Sequence, residues 1–374
     1  MNIAIVIGIK TDSISEDRYP QWLQDIPQSL INKSKEYWGD GEYGLASDVG
    51  VAYYVQKFSK HKVTLLTKKD IQRTKFNQFD VIIGLYDPYY LTNDTNDPKS
   101  YSYYNRLIQT SKATFLQPLS LQRFVLNKEL YINKLKKHHV PVIEHISFPI
   151  RENMNSKTML QKINKQCSKW GTQFFITKPQ PGGFGTGFKK WDITKVLSNT
   201  NKFSSYIHKV KQEVRIEKPL LLIQRFVPEF ETFYEVRTYW MNGSYSHSIG
   251  TIIDPTSLGT SGFEEVRFAY PENEYDTKEF QTYDEIPEKI DQSLITKLKK
   301  IGKQVIQLLP KDPTGVPFLL RIDFGCCLDN KHVCRDYFVN EIEYVPNLFP
   351  EYATHVDVLQ IVGKAIIHKI KQLK

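Results

Sequence analysis

The chain has no apolar run of about 18 residues or more, which excludes a membrane-spanning helix. The first residues, Met1-Asn-Ile-Ala-Ile-Val-Ile-Gly8, carry neither the basic start nor the cleavage site of a secretory leader, so a cytoplasmic protein is expected. Cysteine is scarce: Cys167, Cys326, Cys327 and Cys334 make up the whole complement of 4, and C-x-x-C spacing is missing. That argues against a disulfide framework and a zinc site, and leaves reduced, mostly buried thiols as the expectation. Strong charge blocks are lacking too. The net charge of +9 comes from 50 Lys+Arg spread along the sequence, without a nucleic-acid-module signature, so a lysine-rich solvated surface is expected and neither nucleic acid nor membrane as a partner. An anionic partner would also account for the sign. Covalent catalysis has little support, because neither a Ser-His-Asp arrangement nor a G-x-S-x-G elbow occurs, and His138-His139 reads as a polar helix end.

What is present is a foldable chain of 374 residues, 40% apolar and 13% aromatic, long enough for two or three domains. The first 120 or so residues alternate strand and helix signals: strands at Ile3 to Ile9, Val63 to Leu66, Val81 to Leu85 and Thr114 to Leu116, with a helix over Leu45 to Phe58. This pattern predicts a small parallel α/β domain. The polar stretch from Asp87 to Tyr104 reads as a long loop, and a new unit begins near Pro118 with one helix over Leu121 to His138. Val140-Pro-Val-Ile143 reads as a strand start and Leu220 to Phe226 as a buried strand. Further strands fall within Thr232 to Thr251 and Phe318 to Glu343, separated by an insertion or flexible loop from Asp254 to Gln292. The chain closes on an amphipathic helix with Val358, Ile361, Val362, Ala365, Ile366 and Leu373 on its apolar side and Lys364, Lys369 and Lys371 on the other.

Three segments carry chemistry. In Phe174-Phe-Ile-Thr-Lys-Pro-Gln-Pro-Gly-Gly-Phe-Gly-Thr-Gly-Phe188, an apolar strand delivers Lys178 into a loop holding Gly182, Gly183, Gly185 and Gly187. Glycine lets backbone N–H groups approach an anion closely, so the segment reads either as a polyphosphate loop or as a flexible hairpin turn. The lysine precedes the glycines, which fits neither a P-loop nor a dinucleotide fingerprint. Leu220-Leu-Leu-Ile-Gln-Arg-Phe-Val-Pro-Glu-Phe-Glu231 turns polar at Gln224: the Gln224 amide and the backbone of Arg225, Phe226 and Val227 can read a base edge while Glu231 faces a sugar, or the segment is an ordinary edge strand. Arg321-Ile-Asp-Phe-Gly325 and Phe338-Val-Asn-Glu-Ile-Glu343 read as strands paired through the turn Asp329-Asn-Lys331. Asp323 would lie across from Glu341, with Glu343 on the same face. Three carboxylates there without lysine partners suit Mg²⁺ bridging phosphates, or else form a solvated acidic face. Arg237, in Glu235-Val-Arg237, and Arg321 can each clamp a phosphoryl group or sit in an ion pair with a neighbouring acid.

In this order the segments resemble the ATP-grasp superfamily, through Asn127-Lys128, Lys178 with its glycine loop, Gln224 to Glu231, Glu235-Val-Arg237, and Asp323 with Asn340-Glu-Ile-Glu343 and Pro346. The resemblance covers about residues 118 to 350. It implies an α/β (α+β) ATP-grasp fold behind a small parallel α/β domain, divided as 1–117, 118–227 and 228–374. It further implies that Lys128 and Lys178 contact ATP phosphates or adenine, that the glycine loop covers the triphosphate, that Gln224 and Glu231 hold adenosine, and that Asp323, Glu341 and Glu343 hold Mg²⁺. Gln224 stands where the family usually has glutamate, and Glu343 where it usually has asparagine, which leaves the number of metal ions open.

Such enzymes mostly activate a carboxylate as an acyl phosphate that an amine then attacks. The expectation is an ADP-forming ligase with ATP and Mg²⁺ as cofactors, Arg237 and Arg321 at the reacting groups, and small-molecule or peptide carboxylate and amine substrates. Glu235-Val-Arg-Thr-Tyr-Trp240 is similar to the Asp-x-Arg strand of glutathione synthetases and of ribosomal-protein glutamate ligases. The alternatives are a kinase of a small polyol or inositol phosphate, and a noncatalytic ATP-binding module. The chain can be an oligomer under any of these.

Overall fold

The computed structural model describes residues 1–7, 13–14, 26–32, 45–67, 70–71, 73–85, 99–151, 155–180, 188–213, 219–231, 235–253, 264–270, 281–282, 294–328, 334–346, 348 and 357–373. The first unit holds β1 (Asn2–Ile7), β2 (Ser13–Ile14), β3 (Leu45–Ala46), α1 (Ser47–Phe58), β4 (Lys62–Leu66), α2 (Arg73–Phe76), β5 (Val81–Leu85), α3 (Lys99–Thr110) and β6 (Thr114–Leu116). Its parallel sheet has the order β4-β1-β5-β6. Every residue of Ile3–Ile7 is buried, as a strand covered on both faces requires.

The middle unit runs α4 (Leu119–Leu126), α5 (Lys128–Lys137), β7 (His145–Pro149), α6 (Ser156–Trp170), β8 (Phe174–Gln180), β9 (Lys189–Asp192), α7 (Ile193–Ser198), α8 (Thr200–Glu213) and β10 (Leu220–Arg225). Its sheet has the order β7-β10-β8-β9. One face, with Phe175, Leu221 and Ile223, packs on the three helices α6, α7 and α8 through Met159, Val196, Phe203 and their neighbours. The other face carries Ile176, Lys178 and Gln180 on β8 and Leu222 and Gln224 on β10.

The last unit comprises β11 (Glu235–Met241), β12 (Ser244–Ile253), β13 (Glu264–Tyr270), β14 (Gln281–Thr282), α9 (Leu294–Leu308), β15 (Leu319–Leu328), β16 (Cys334–Glu343) and α10 (Val358–Gln372). It is an antiparallel sheet of order β14-β13-β12-β11-β15-β16. Strand alternation sorts its residues into two kinds of surface. Val236, Trp240, Leu320, Ile322 and Phe324 bury against α4, α5 and α9. Tyr239, Met241, Ile249 and Leu319 sit on the opposite face, in a core shared with β1, α1 and α10. The charged residues of interest lie on that second face.

Several sequence expectations need correction. The helix from Leu45 begins at Ser47, because Leu45–Ala46 pairs with Ser13–Ile14. The single helix over Leu121 to His138 is two: Asn127 leaves helical geometry and its side chain accepts from Leu130 N at 2.9 Å, capping α5. Val140–Ile143 contributes only the bridge Val142↔Val339, because Pro141 cannot donate; its carbonyl accepts from Val339 N at 2.9 Å. Tyr104 lies in α3 rather than a loop, while residues 86–98 fall outside the described ones. Within the expected insertion, β13 and β14 extend the sheet, so tertiary pairing with β12 overrides a turn-rich composition. The Asp329-Asn-Lys331 turn is outside the described residues. Cys326 is disulfide-bonded, whereas Cys167 and Cys327 are free thiols. Finally, Lys369 is not on the polar side of α10: its side chain is 2% exposed and lies 3.6 Å from the fully buried Asp312.

Candidate functional site

Two rows of residues cross the second face of the large sheet. The first runs Glu341, Asp323, Arg237, Ile249, and the next runs Glu343, Arg321, Tyr239, His247, each residue paired with its neighbour across adjacent strands. Arg237 beside Asp323 and Arg321 beside Glu343 are opposite charges at ladder spacing, the arrangement that stabilises cross-strand pairs, whereas Glu341 beside Asp323 is a like-charge pair. The expected pairing of Asp323 with Glu341, and Glu343 on the same face, is what the register gives. Ligand oxygens of Asp323, Glu341 and Glu343 lie within 4.8 Å of one another.

These carboxylates do have basic partners, contrary to the sequence reading. Lys128 Nζ bonds Glu341 Oε1, an approach from the first turn of α5 that spans 213 residues of sequence. Arg321 holds Asp323 with two parallel bonds of 2.8 Å, from Nε to Oδ1 and from Nη2 to Oδ2, and reaches Glu343 Oε1 at 3.0 Å. Planar guanidinium and carboxylate groups match in this fork. Arg237 likewise donates to Glu235 Oε2 at 3.2 Å, so it takes the ion-pair reading for which the sequence allowed. Both members of that pair are buried.

Lys178 completes the cluster from the facing sheet. Its Nζ donates to Asn340 Oδ1 at 3.4 Å, and Asn340 Nδ2 donates to Glu235 Oε1 at 2.6 Å. Asn340 therefore links the lysine of β8 to the Glu235–Arg237 pair, a role that its place in the sequence does not reveal. Burial, reinforced by the Lys128 ammonium, pushes Lys178 down to about 8. Burial alone would raise Glu341, but Lys128 and Lys178 hold it down to about 2. Glu343 goes the other way: burial pushes it up to about 8 against the pull of Arg321, with Glu341 and Asp323 adding to the rise. Crowded carboxylates and crowded lysines in one cluster suit a divalent cation for the former and an anion for the latter.

The remaining sequence-predicted residues fall beside this cluster. Gln224 is buried on the same sheet face as Lys178, and its Nε2 has no hydrogen-bond partner. Arg225 turns to Glu144 at 3.5 Å, and Val227 is buried. Phe226 meets Phe174 edge-on with ring centroids 5.8 Å apart, and Lys190 Nζ stands 3.9 Å from the Phe226 centroid. Lys190 was not foreseen, since cation–π packing depends on two strands meeting. Glu231 ends the 3-10 turn Pro228–Glu231. Gly182, Gly183, Gly185 and Gly187 lie outside the described residues.

His247 marks the far end of the second row. Its ring stacks on Tyr239, with centroids 4.4 Å apart and planes at 3°, and burial pushes its imidazole down to about 3. The unfolded chain takes up this proton near pH 6.5 and the folded chain refuses it, so stability falls as pH drops below that value. Between pH 7 and pH 5 this one group is expected to remove about 2 kcal/mol from the unfolding free energy. Urea titrations at the two pH values check it: a His247→Phe variant, which keeps the stack, should lose that increment of acid sensitivity.

No family model matches the chain, and no curated protein does. Solved structures do match across its whole length. D-cycloserine synthetase DcsG is 14% identical with a TM-score of 0.61, covering 99% of this chain and 100% of that one. The D-alanine–D-alanine ligase of Bacillus anthracis complexed with ATP is 12% identical with a TM-score of 0.55, over 99% and 98% of the two chains. The ATP-grasp ligase PsnB complexed with a minimal precursor is 12% identical with a TM-score of 0.54, over 98% of each. Likeness at this identity is a likeness of architecture, and by that architecture, a parallel sheet followed by two antiparallel sheets, the chain has the ATP-grasp fold.

Proposed function

We propose that the chain is an ATP- and Mg²⁺-dependent, ADP-forming ligase that joins a carboxylate to an amine through an acyl phosphate. The observation that carries this reading is the convergence of Asp323, Glu341 and Glu343 within 4.8 Å, with Lys128 bonded to Glu341 and Lys178 close enough to feel the charge of Glu341 and Asp323. A cluster of hard oxygen donors beside two ammonium groups is what a nucleotide triphosphate with its metal needs. Two of the similar structures support it by their contents: one ligase holds ATP, and PsnB holds Mg and ADP.

On this reading Asp323, Glu341 and Glu343 hold Mg²⁺, which when bound neutralises phosphate charge. Lys128 and Lys178 exchange their contacts with Glu341 and Asn340 for phosphate oxygens. The glycine loop at residues 182, 183, 185 and 187 closes over the triphosphate, while Gln224, the backbone of Arg225 to Val227, and Glu231 hold the adenosine. Arg237 and Arg321, kept rigid by Glu235 and Asp323, offer fixed cations to the transferred phosphoryl group and the acyl oxygen. The units are an α/β domain at 1–117, an ATP-grasp subdomain with the glycine loop at 118–227 and a second with the carboxylates at 228–374, and the substrates are a small-molecule or peptide carboxylate and amine. A cytoplasmic supply of ATP would fit, and among the described residues no helix is long and apolar enough to cross a membrane.

Incubation with labelled ATP, Mg²⁺ and pooled carboxylates, amines and inositol phosphates tests the proposal. ADP accompanied by a condensed product is expected. A phosphorylated polyol would replace the ligase reading with a kinase, and ATP bound without turnover would leave a binding module.

A further inference from the structure

Gln180 is the last residue of β8 and is 3% exposed. Its side-chain Oε1 accepts the backbone N–H of Lys128, the first residue of α5, at 2.6 Å. That bond fixes which way the amide points, since only the oxygen can accept, and leaves Nε2 buried with no hydrogen-bond partner among the described residues. A buried donor without an acceptor is costly and rare in a folded chain, so its retention asks for a partner that the described residues do not supply.

The surroundings say what that partner is. Gln180 shares its sheet face with Lys178 two residues earlier, and its oxygen is tied to the residue whose ammonium reaches Glu341. Lys128 and Lys178 press on one another, which is part of what lowers Lys178. An NH₂ group, two ammonium groups and the amino-terminal end of a ten-residue helix all favour an anionic oxygen.

We infer that Gln180 is a third donor to the nucleotide's phosphates, its carboxamide oxygen anchoring the start of α5 while its NH₂ bonds a phosphate oxygen. The inference rests on the nucleotide reading above. Through Gln180, occupancy of the phosphate site and the position of Lys128 become one hydrogen-bonded unit.

The test separates anchoring from phosphate binding. Gln180→Glu keeps an acceptor for Lys128 N–H but has no NH₂; Gln180→Met has neither. Dissociation constants for MgATP and for adenosine are measured by calorimetry on the full chain, with thermal melting as the fold control. MgATP is expected to bind about tenfold or more weakly to both variants, in line with a lost bond to a charged group, with adenosine affinity unchanged. In the wild type, the Gln180 side-chain NH₂ resonances should shift on adding MgADP and not on adding adenosine, a readout that needs no variant. Wild-type affinity in both variants, or weakening in Gln180→Glu alone, would overturn the inference, as would an NH₂ resonance unmoved by MgADP. Equal loss of adenosine binding would also overturn it, by making Gln180 a support for the whole pocket. A wild-type protein that binds no MgATP at all defeats the nucleotide reading itself, and this inference with it.

Discussion

Asp323→Asn and Glu341→Gln are each expected to lower ATP-dependent turnover by on the order of 10²- to 10³-fold, the scale of removing one preorganised charge-stabilising group. The two substitutions act through different neighbours. Asp323 is gripped by Arg321 through two 2.8 Å bonds, so Asn there keeps the shape and loosens the arginine. Glu341 is the acceptor of Lys128, so Gln there releases the lysine toward the phosphates. Both should raise the Mg²⁺ concentration needed for half-maximal activity, and Glu341→Gln should weaken nucleotide binding the less of the two. Steady-state rates across a Mg²⁺ series measure this, with melting temperatures to show that the fold survives. Wild-type turnover with unchanged Mg²⁺ dependence in both variants would remove the carboxylates from the site.

Lys369→Ala should have the largest effect on stability, about 3–5 kcal/mol, because it strands a buried carboxylate. Lys369 on α10 is 2% exposed, its Nζ lies 3.6 Å from Asp312, whose side chain is fully buried, and it donates to Thr314 O at 3.3 Å. Asp312 Oδ1 also accepts from Thr314 N at 2.8 Å and Thr314 Oγ1 at 2.6 Å, whereas its Oδ2 has no partner. That hydrogen bonding cannot compensate a lone charge. Adding Asp312→Asn to Lys369→Ala should recover part of the loss, since the remaining group is neutral and still bonded to Thr314. Denaturant unfolding of the singles and the double measures it, and a Lys369→Ala variant within about 1 kcal/mol of wild type would contradict a buried pair.

The parts of this protein that sequence made legible are those governed by local rules. Asp323 opposite Glu341 with Glu343 alongside follows from strand periodicity and a short connection, and the register agrees. The α/β alternation before residue 117 is likewise read from apolar runs, and β5 and β6 have the expected bounds. What escaped was long-range. Lys128 was placed near ATP by resemblance, but its bond to Glu341 depends on α5 docking against β16. Lys369 obeys helical spacing for a solvent-facing residue and yet is buried, because Asp312 arrives from another segment. Asn340 and Gln180 carry no charge, and their partners, Glu235 on β11 and the Lys128 N–H at the start of α5, come from segments far away in the sequence. Asn127 as a break between two helices was legible in principle, since asparagine is a favoured cap, but the apolar spacing ran through it.

The most direct measurement follows oxygen. Carboxylates labelled with ¹⁸O are incubated with the protein, MgATP and pooled amines, and the released phosphate is weighed by mass spectrometry. Activation through an acyl phosphate carries one carboxylate oxygen into phosphate, so ¹⁸O-phosphate appearing in step with ADP is the expected result. ADP formed while the phosphate stays unlabelled, or no ADP with any acceptor, would contradict it.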